Sequence, residues 1–271
     1  IEINDNPKYE AFVQEILGIV EKYNKKYRTK DILFNCEMIP AENVGVKHAK
    51  WDKEAGFQTA FFSNQRYNHS FIDFFGREAD TFDFIKEDSL DFSYNPSDNE
   101  LLKLVEQELA KGAKKQFIVL HTYGSHFNYR ERYPSGDAFF TPDYPVEAER
   151  KFRDNLVNAY DNSVRYTDSL LARLIGMLEN QGTDAALIYT SDHGEDIFDD
   201  ARARYLHASP IPTYYQLHIP YIIWFSDDYR TVFPEKYRTA ISHGAYPVST
   251  NSVFHTILDI AGVRTSVSDS T

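Results

Sequence analysis

The sequence predicts an α/β fold: a central, mainly parallel sheet with helices on both faces. Three observations carry this. Strand-like and helix-like segments alternate along the 271 residues. The strand-like segments are continuously apolar rather than alternately polar, the pattern of strands covered on both faces. Clusters of chemically able side chains follow the carboxyl ends of those strands, where open α/β sheets gather ligands. With 42% hydrophobic and 15% aromatic residues the chain can bury one large core, and residues 1–271 read as a single domain without repeat or low-complexity linker.

Residues 9–27 carry Phe12, Ile16, Ile19, Val20 and Tyr23 at helical spacing. A shorter helix is predicted over 47–55, closed by Gly56. A strand over 57–63 then runs into a polar turn at Asn64 and Gln65. Residues 101–111 read as a helix ending at Gly112, and 116–121 as a strand. The longest helical stretch, 146–180, is one helix or two in series, ended by Gln181 and Gly182. Buried strands follow over 185–190 and 219–225, the second with Pro220 near its start, where a missing N–H donor is tolerated. A helix over 248–261, capped by Gly262, precedes a tail over 266–271 that is expected to fray.

Composition narrows the function. The net charge is −12 and no Lys/Arg stripe occurs, so nucleic acid is not expected as a partner. The one cysteine, Cys36, leaves no intrachain disulfide. No run of about eighteen apolar residues occurs, the length a membrane-spanning helix needs. The chain begins at Ile1 rather than Met and is expected to be a soluble part of a longer protein.

Three polar clusters follow strand ends. They are His121-Thr-Tyr-Gly-Ser-His126, Ser191-Asp-His-Gly-Glu195 and, in the loop after the second, Tyr205-Leu-His207. Asp192 and His193 set an oxygen and a nitrogen donor side by side, a mixture that suits zinc or manganese better than calcium. The simpler alternative is an Asp that caps a helix beside a bystander His. Gly194 is read as letting the chain turn sharply away from the metal, and Glu195 as a weaker candidate than Asp192 and His193, because a place in a helix's first turn, where it favours the dipole, also accounts for it. His121 and His126, five apart across a Gly-Ser turn, converge only through a loop. With His207 they point to ligand or phosphate contacts. His48, His69, His218, His243 and His255 lack such surroundings and are read as structural.

These stretches, with others in the same order, resemble the phosphoethanolamine transferases, a sulfatase-like branch of the alkaline phosphatase superfamily. His121-Thr-Tyr-Gly-Ser-His126 with Tyr129 and Arg132-Tyr-Pro134 is similar to the family's H-T-x-G-S-H-x-x-Y-x-x-R-Y-P. Tyr160-Asp-Asn-Ser-Val-Arg-Tyr-Thr-Asp168 is similar to its Y-D-N-[ST] helix, and Tyr189-Thr-Ser-Asp-His-Gly-Glu195 to its S-D-H-G-E metal segment. Leu206-His207 with Gln216, Ile219-Pro220 and Trp224, and then the stretch from Asn251 to Leu258, follow in register. The chain departs from the family at Phe127-Asn128, where Gly-Pro is usual, and at Ala208, where Gly is usual.

The resemblance implies an alkaline phosphatase/sulfatase-like sandwich with Zn²⁺ held partly by Asp192 and His193. It implies that His126 and His207, with His121, hold the phosphoryl group of the donor or a second zinc. The reaction it implies moves phosphoethanolamine from phosphatidylethanolamine to a lipid or glycan hydroxyl, as on lipopolysaccharide, through a phosphothreonine intermediate. The implied setting is the periplasmic face of a bacterial inner membrane, reached through an N-terminal anchor. No metal-binding Glu followed by a nucleophilic Thr is identified before Ala55; Glu37 and Thr29 lack matching surroundings. The chain is therefore expected to begin downstream of both. Alternatives are a phosphoglycerol transferase such as a lipoteichoic acid synthase, a sulfatase, and a non-catalytic binding domain. A cysteine-type sulfatase needs C-x-P-x-R, whereas Cys36-Glu-Met-Ile-Pro40 places its proline at the wrong offset.

Overall fold

The computed structural model describes residues 55–65, 76–86, 95–207 and 211–264. The helix predicted over 9–27, most of that over 47–55, the residues Thr29, Cys36 and Glu37, and the tail over 266–271 lie outside them. Three parallel strands, β1 (Gln58–Ser63), β2 (Thr81–Phe84) and β3 (Gln116–His121), pair in the order β2-β1-β3. Their register sets Ser63 of β1 beside His121 at the end of β3. Helix α1 (Leu101–Leu109) buries Leu101, Leu102, Val105 and Leu109 against Ala60 and Phe62 of β1. Each fully buried leucine contributes roughly 1.5–3 kcal/mol.

The stretch predicted over 146–180 is one helix, α2 (Arg153–Glu179), after a 3-10 turn at Arg150–Phe152. At 27 residues it is about 40 Å long, enough to serve two cores. Leu170 and Leu174, in its second half, join the core under β1. Leu156 and Ala159, in its first half, join a second core with Tyr129, Val146, Ile197 and Phe198. Ile197, Phe127 and Leu206, neighbours in sequence of Glu195, His126 and His207, belong to or pack on this second core.

Strand β4 (Ala186–Thr190) pairs with β7 (Tyr221–Phe225), and the pairing is antiparallel. The parallel expectation holds for β1 to β3 and is corrected here. An apolar run reports cover on both faces, not direction. A parallel partner needs a crossover, usually a helix, whereas the described residues between these strands form a hairpin, β5 (Asp196–Ile197) with β6 (Tyr205–Leu206), and the four-residue helix α3 (Tyr214–Leu217). After β7 come α4 (Asp227–Val232), capped by Ser226, then α5 (Pro234–His243) and α6 (Ser252–Ala261). The last begins four residues later than predicted and ends at Gly262, whose φ of 67° is the left-handed value of a helix C-terminus. Among the described residues no helix is long and apolar enough to cross a membrane.

Candidate metal and phosphoryl site

The first histidine cluster leaves the end of β3. His121 lies beside Ser63, and its Nδ1 shares a 2.9 Å hydrogen bond with the Ser63 hydroxyl. Burial pushes the His121 imidazole below its ordinary pKa, opposed in part by Asp192 and Asp98. The turn beyond it is held by one carboxylate. Asp98 Oδ1 accepts from the Tyr123 amide at 2.8 Å and from Asn64 Nδ2 at 2.7 Å, while Oδ2 accepts from the Gly124 amide at 2.9 Å. Gly124 is left-handed, with φ 60°, which lets both amides face one side chain. The Tyr123 ring lies between Lys86 Nζ, at 4.0 Å, and the Arg132 guanidinium, at 4.2 Å. Its edge contact with His126, 5.1 Å between centroids, links that histidine to the clamped turn.

The second cluster leaves the end of β4. His193 Nδ1 lies 3.0 Å from the Gly194 carbonyl. A carbonyl only accepts, so Nδ1 carries the hydrogen and Nε2 presents its lone pair. That lone pair lies 3.6 Å from Asp192 Oδ2. Two acceptors at this distance suit a shared cation, since donors on a tetrahedral zinc lie about 3.3 Å apart. The Asp192 side chain is 86% exposed and approaches from the solvent side. Gly194 serves a purpose other than the sharp turn predicted. Its amide donates to the Gln216 carbonyl at 2.8 Å, and a Cβ there would lie 2.1 Å from the Tyr215 carbonyl oxygen. Close backbone approach demands the glycine. Glu195 leads into β5 rather than a helix, so the dipole reading does not apply to it.

The third cluster is carried back by the hairpin. Asp196 pairs with Leu206 and Ile197 with Tyr205, so one step further the register sets Glu195 opposite His207. His207 Nδ1 lies 2.9 Å from Glu195 Oε1, and the Tyr129 hydroxyl donates to Oε2 at 3.4 Å. Burial, and secondarily Glu195, pushes the Tyr129 pKa up, which keeps it a donor. Asp196 faces the other way and accepts from Thr213 Oγ1 at 2.8 Å and Gln216 Nε2 at 2.5 Å, fastening α3 to the hairpin. Leu206, immediately before His207, is left-handed with φ 62°, a conformation that costs a non-glycine residue about 1–3 kcal/mol.

The histidines therefore converge. The His193 and His207 rings are 3.9 Å apart and the His126 and His207 rings 6.2 Å. Among the described residues, His193, Glu195 and His207 offer ligand atoms that all lie within 4.8 Å of one another. Two imidazoles with a carboxylate form a zinc-type donor set. Asp192 stands at the edge of this cluster, and His121 sits apart from it at the end of β3. The Tyr160-Asp-Asn-Ser stretch contributes support. Asn162 accepts from the Phe139 and Phe140 amides, both at 2.9 Å, and donates to the Phe140 carbonyl and the Tyr133 hydroxyl.

The chain is similar to known proteins over most of its length. A model of the Sulfatase family matches residues 49–263. Phosphoethanolamine transferase EptA of Helicobacter pylori is 34% identical over 171 residues, 61% of this chain and 31% of its own. Phosphoethanolamine transferase EptC of Escherichia coli is 26% identical over 218 residues, 78% of this chain and 37% of its own. The crystal structure of the C-terminal periplasmic domain of Escherichia coli EptC in complex with Zn matches with a TM-score of 0.72 at 25% identity, over 82% of this chain and 62% of that one. The chain thus spans about a third of the length of these curated relatives.

Proposed function

The chain belongs to the sulfatase family, and on that premise we propose that its protein transfers phosphoethanolamine from phosphatidylethanolamine to a lipopolysaccharide or other glycan hydroxyl. The observation that carries this reading is the convergence of His126, His193, Glu195 and His207 where β4 and the hairpin meet. The relatives that match most of the chain bear the phosphoethanolamine transferase name, which favours it over sulfate ester hydrolysis, phosphoglycerol transfer or a non-catalytic role.

In this reading Asp192 and His193 hold zinc together with Glu195 and His207. Manganese suits sites richer in carboxylate and water, so the imidazole pair favours zinc. Zinc, when bound, supplies Lewis acidity toward a phosphoryl oxygen and eases proton loss from an attacking hydroxyl. The residues do the rest. Gly194 sets the His193 tautomer through Nδ1, and Glu195 orients His207 through its Nδ1. His126, beside His207, faces the phosphoryl oxygens and offsets their charge. His121, bonded to Ser63, supports that loop from below. The transfer runs through a phosphothreonine, with diacylglycerol leaving first, at the periplasmic face of an inner membrane; none of the residues assigned here is that threonine.

The test is transfer by the whole protein from head-group-labelled phosphatidylethanolamine to lipopolysaccharide. Label should reach the acceptor, and chelation should stop it. Label that stays with the donor in zinc-replete protein overturns the proposal.

A further inference from the structure

Helix α3 and the residues before it are built inside out. Thr213 and Gln216, both polar, are buried, and both donate to the Asp196 carboxylate. The apolar side chains of the same turn face outward: Tyr214 is 66%, Tyr215 43% and Leu217 67% exposed, and Ile211 is exposed just before them. A helix that faces water shows the reverse pattern. No Asp, Glu, Lys or Arg occurs from Tyr205 to Ser226, in a chain of which 26% is charged. The face therefore offers no fixed charge with which to select a protein partner. The same segment is fastened to the metal cluster. The Gln216 carbonyl accepts from the Gly194 amide at 2.8 Å, and the Tyr215 carbonyl closes on Gly194 so tightly that a Cβ would not fit. Gly194 lies between His193 and Glu195, two residues of that cluster.

We propose that this face seats the protein on the bilayer that holds the donor, an inference that rests on the transfer reading above. A phosphatidylethanolamine whose phosphorus reaches His126 and His207 keeps its acyl chains only a glycerol unit away. The bilayer surface must then come to the edge of the cluster, and α3 is an exposed apolar element fastened there. Tyrosine, with an apolar ring and a polar tip, favours the membrane interface. Leucine gains by entering the apolar layer beneath it. Charge points the same way. At a net charge of −12 the chain as a whole is repelled by anionic headgroups, and a stretch without acidic side chains approaches them most easily.

The experiment places a nitroxide on Leu217→Cys and, separately, on Lys103→Cys. Each is the whole protein, freed of other cysteines and reconstituted in vesicles of phosphatidylethanolamine and phosphatidylcholine. Lys103, its side chain 71% exposed on α1, is the reference position. Electron paramagnetic resonance compares collisions with oxygen, which concentrates in lipid, and with a water-soluble nickel chelate. The oxygen-to-nickel ratio should be severalfold higher at 217 than at 103. Equal ratios overturn the seating on lipid. A label at 217 shielded from both reagents overturns it too, and indicates a protein partner instead. The reading needs no turnover. A lipid-facing 217 in a protein that transfers nothing upholds the surface and overturns the transfer reading, and transfer with 217 in water does the reverse.

Discussion

Glu195→Gln removes one charge from the centre of the cluster while leaving its shape. The Glu195 side chain is 5% exposed and accepts from His207 Nδ1 at 2.9 Å and from the Tyr129 hydroxyl at 3.4 Å. A hydrogen bond from a ring N–H to a buried carboxylate is charge-assisted and contributes about 1.5–3 kcal/mol. With tenfold for each ~1.4 kcal/mol, losing the charge should weaken zinc binding by at least about ten- to hundredfold, since Glu195 both faces the metal and orients His207. The variant's fold should survive, because the amide still accepts at Oε1 and fills the same volume. Its metal-free melting midpoint should move by less than about 5 °C, since 1 kcal/mol corresponds to about 2–4 °C at this size. Competition against a zinc-chelating dye gives the affinity, and thermal unfolding controls for structure. Wild-type zinc affinity in folded Glu195→Gln would refute the placement of Glu195 in the metal shell.

Three further outcomes follow from the geometry. Gly194→Ala should destabilise the chain by at least about 1–3 kcal/mol in urea, because its Cβ meets the Tyr215 carbonyl oxygen at 2.1 Å; unchanged stability contradicts that close approach. Asp98→Ala should cost about 2–4 kcal/mol, through the Tyr123 and Gly124 amides and Asn64 Nδ2, with Asp98→Asn recovering part of it; equal losses in the two variants contradict the clamp. His121 has its folded pKa lowered, so the unfolded chain takes up the proton first. Its contribution is complete above about pH 6.5, the unfolded value, and is lost as pH falls below it toward the folded value. His121→Asn should therefore lose less stability between pH 7.5 and 5 than the wild type, and parallel curves contradict the buried, neutral imidazole.

Much of this architecture is legible in the sequence because it rests on local signals. The apolar run 116–121 is β3 residue for residue, and 57–63 and 185–190 each differ from β1 and β4 by one residue. The position of chemistry at strand ends also carries over, with His121 ending β3 and Asp192 two residues beyond β4. What escaped depends on partners distant in sequence. The role of Gly194 is set by a carbonyl on α3, the direction of β7 by the content of its connection, and the clamp on Tyr123 and Gly124 by Asp98, 25 and 26 residues earlier. Glu195 was readable in principle. Glu195, Ile197 and Asp199 alternate in the manner of a strand, and a hairpin returning through Tyr205 and Leu206 brings His207 opposite Glu195. Two-residue strands are too short for periodicity to reveal them.

The most direct measurement is anomalous diffraction at the zinc edge from crystals of the zinc-loaded protein. The account predicts a peak bounded by the His193 and His207 imidazoles and the Glu195 carboxylate, with Asp192 reaching it from the solvent side. A zinc peak bound by other side chains, or zinc-loaded crystals with no peak at these four residues, contradicts it.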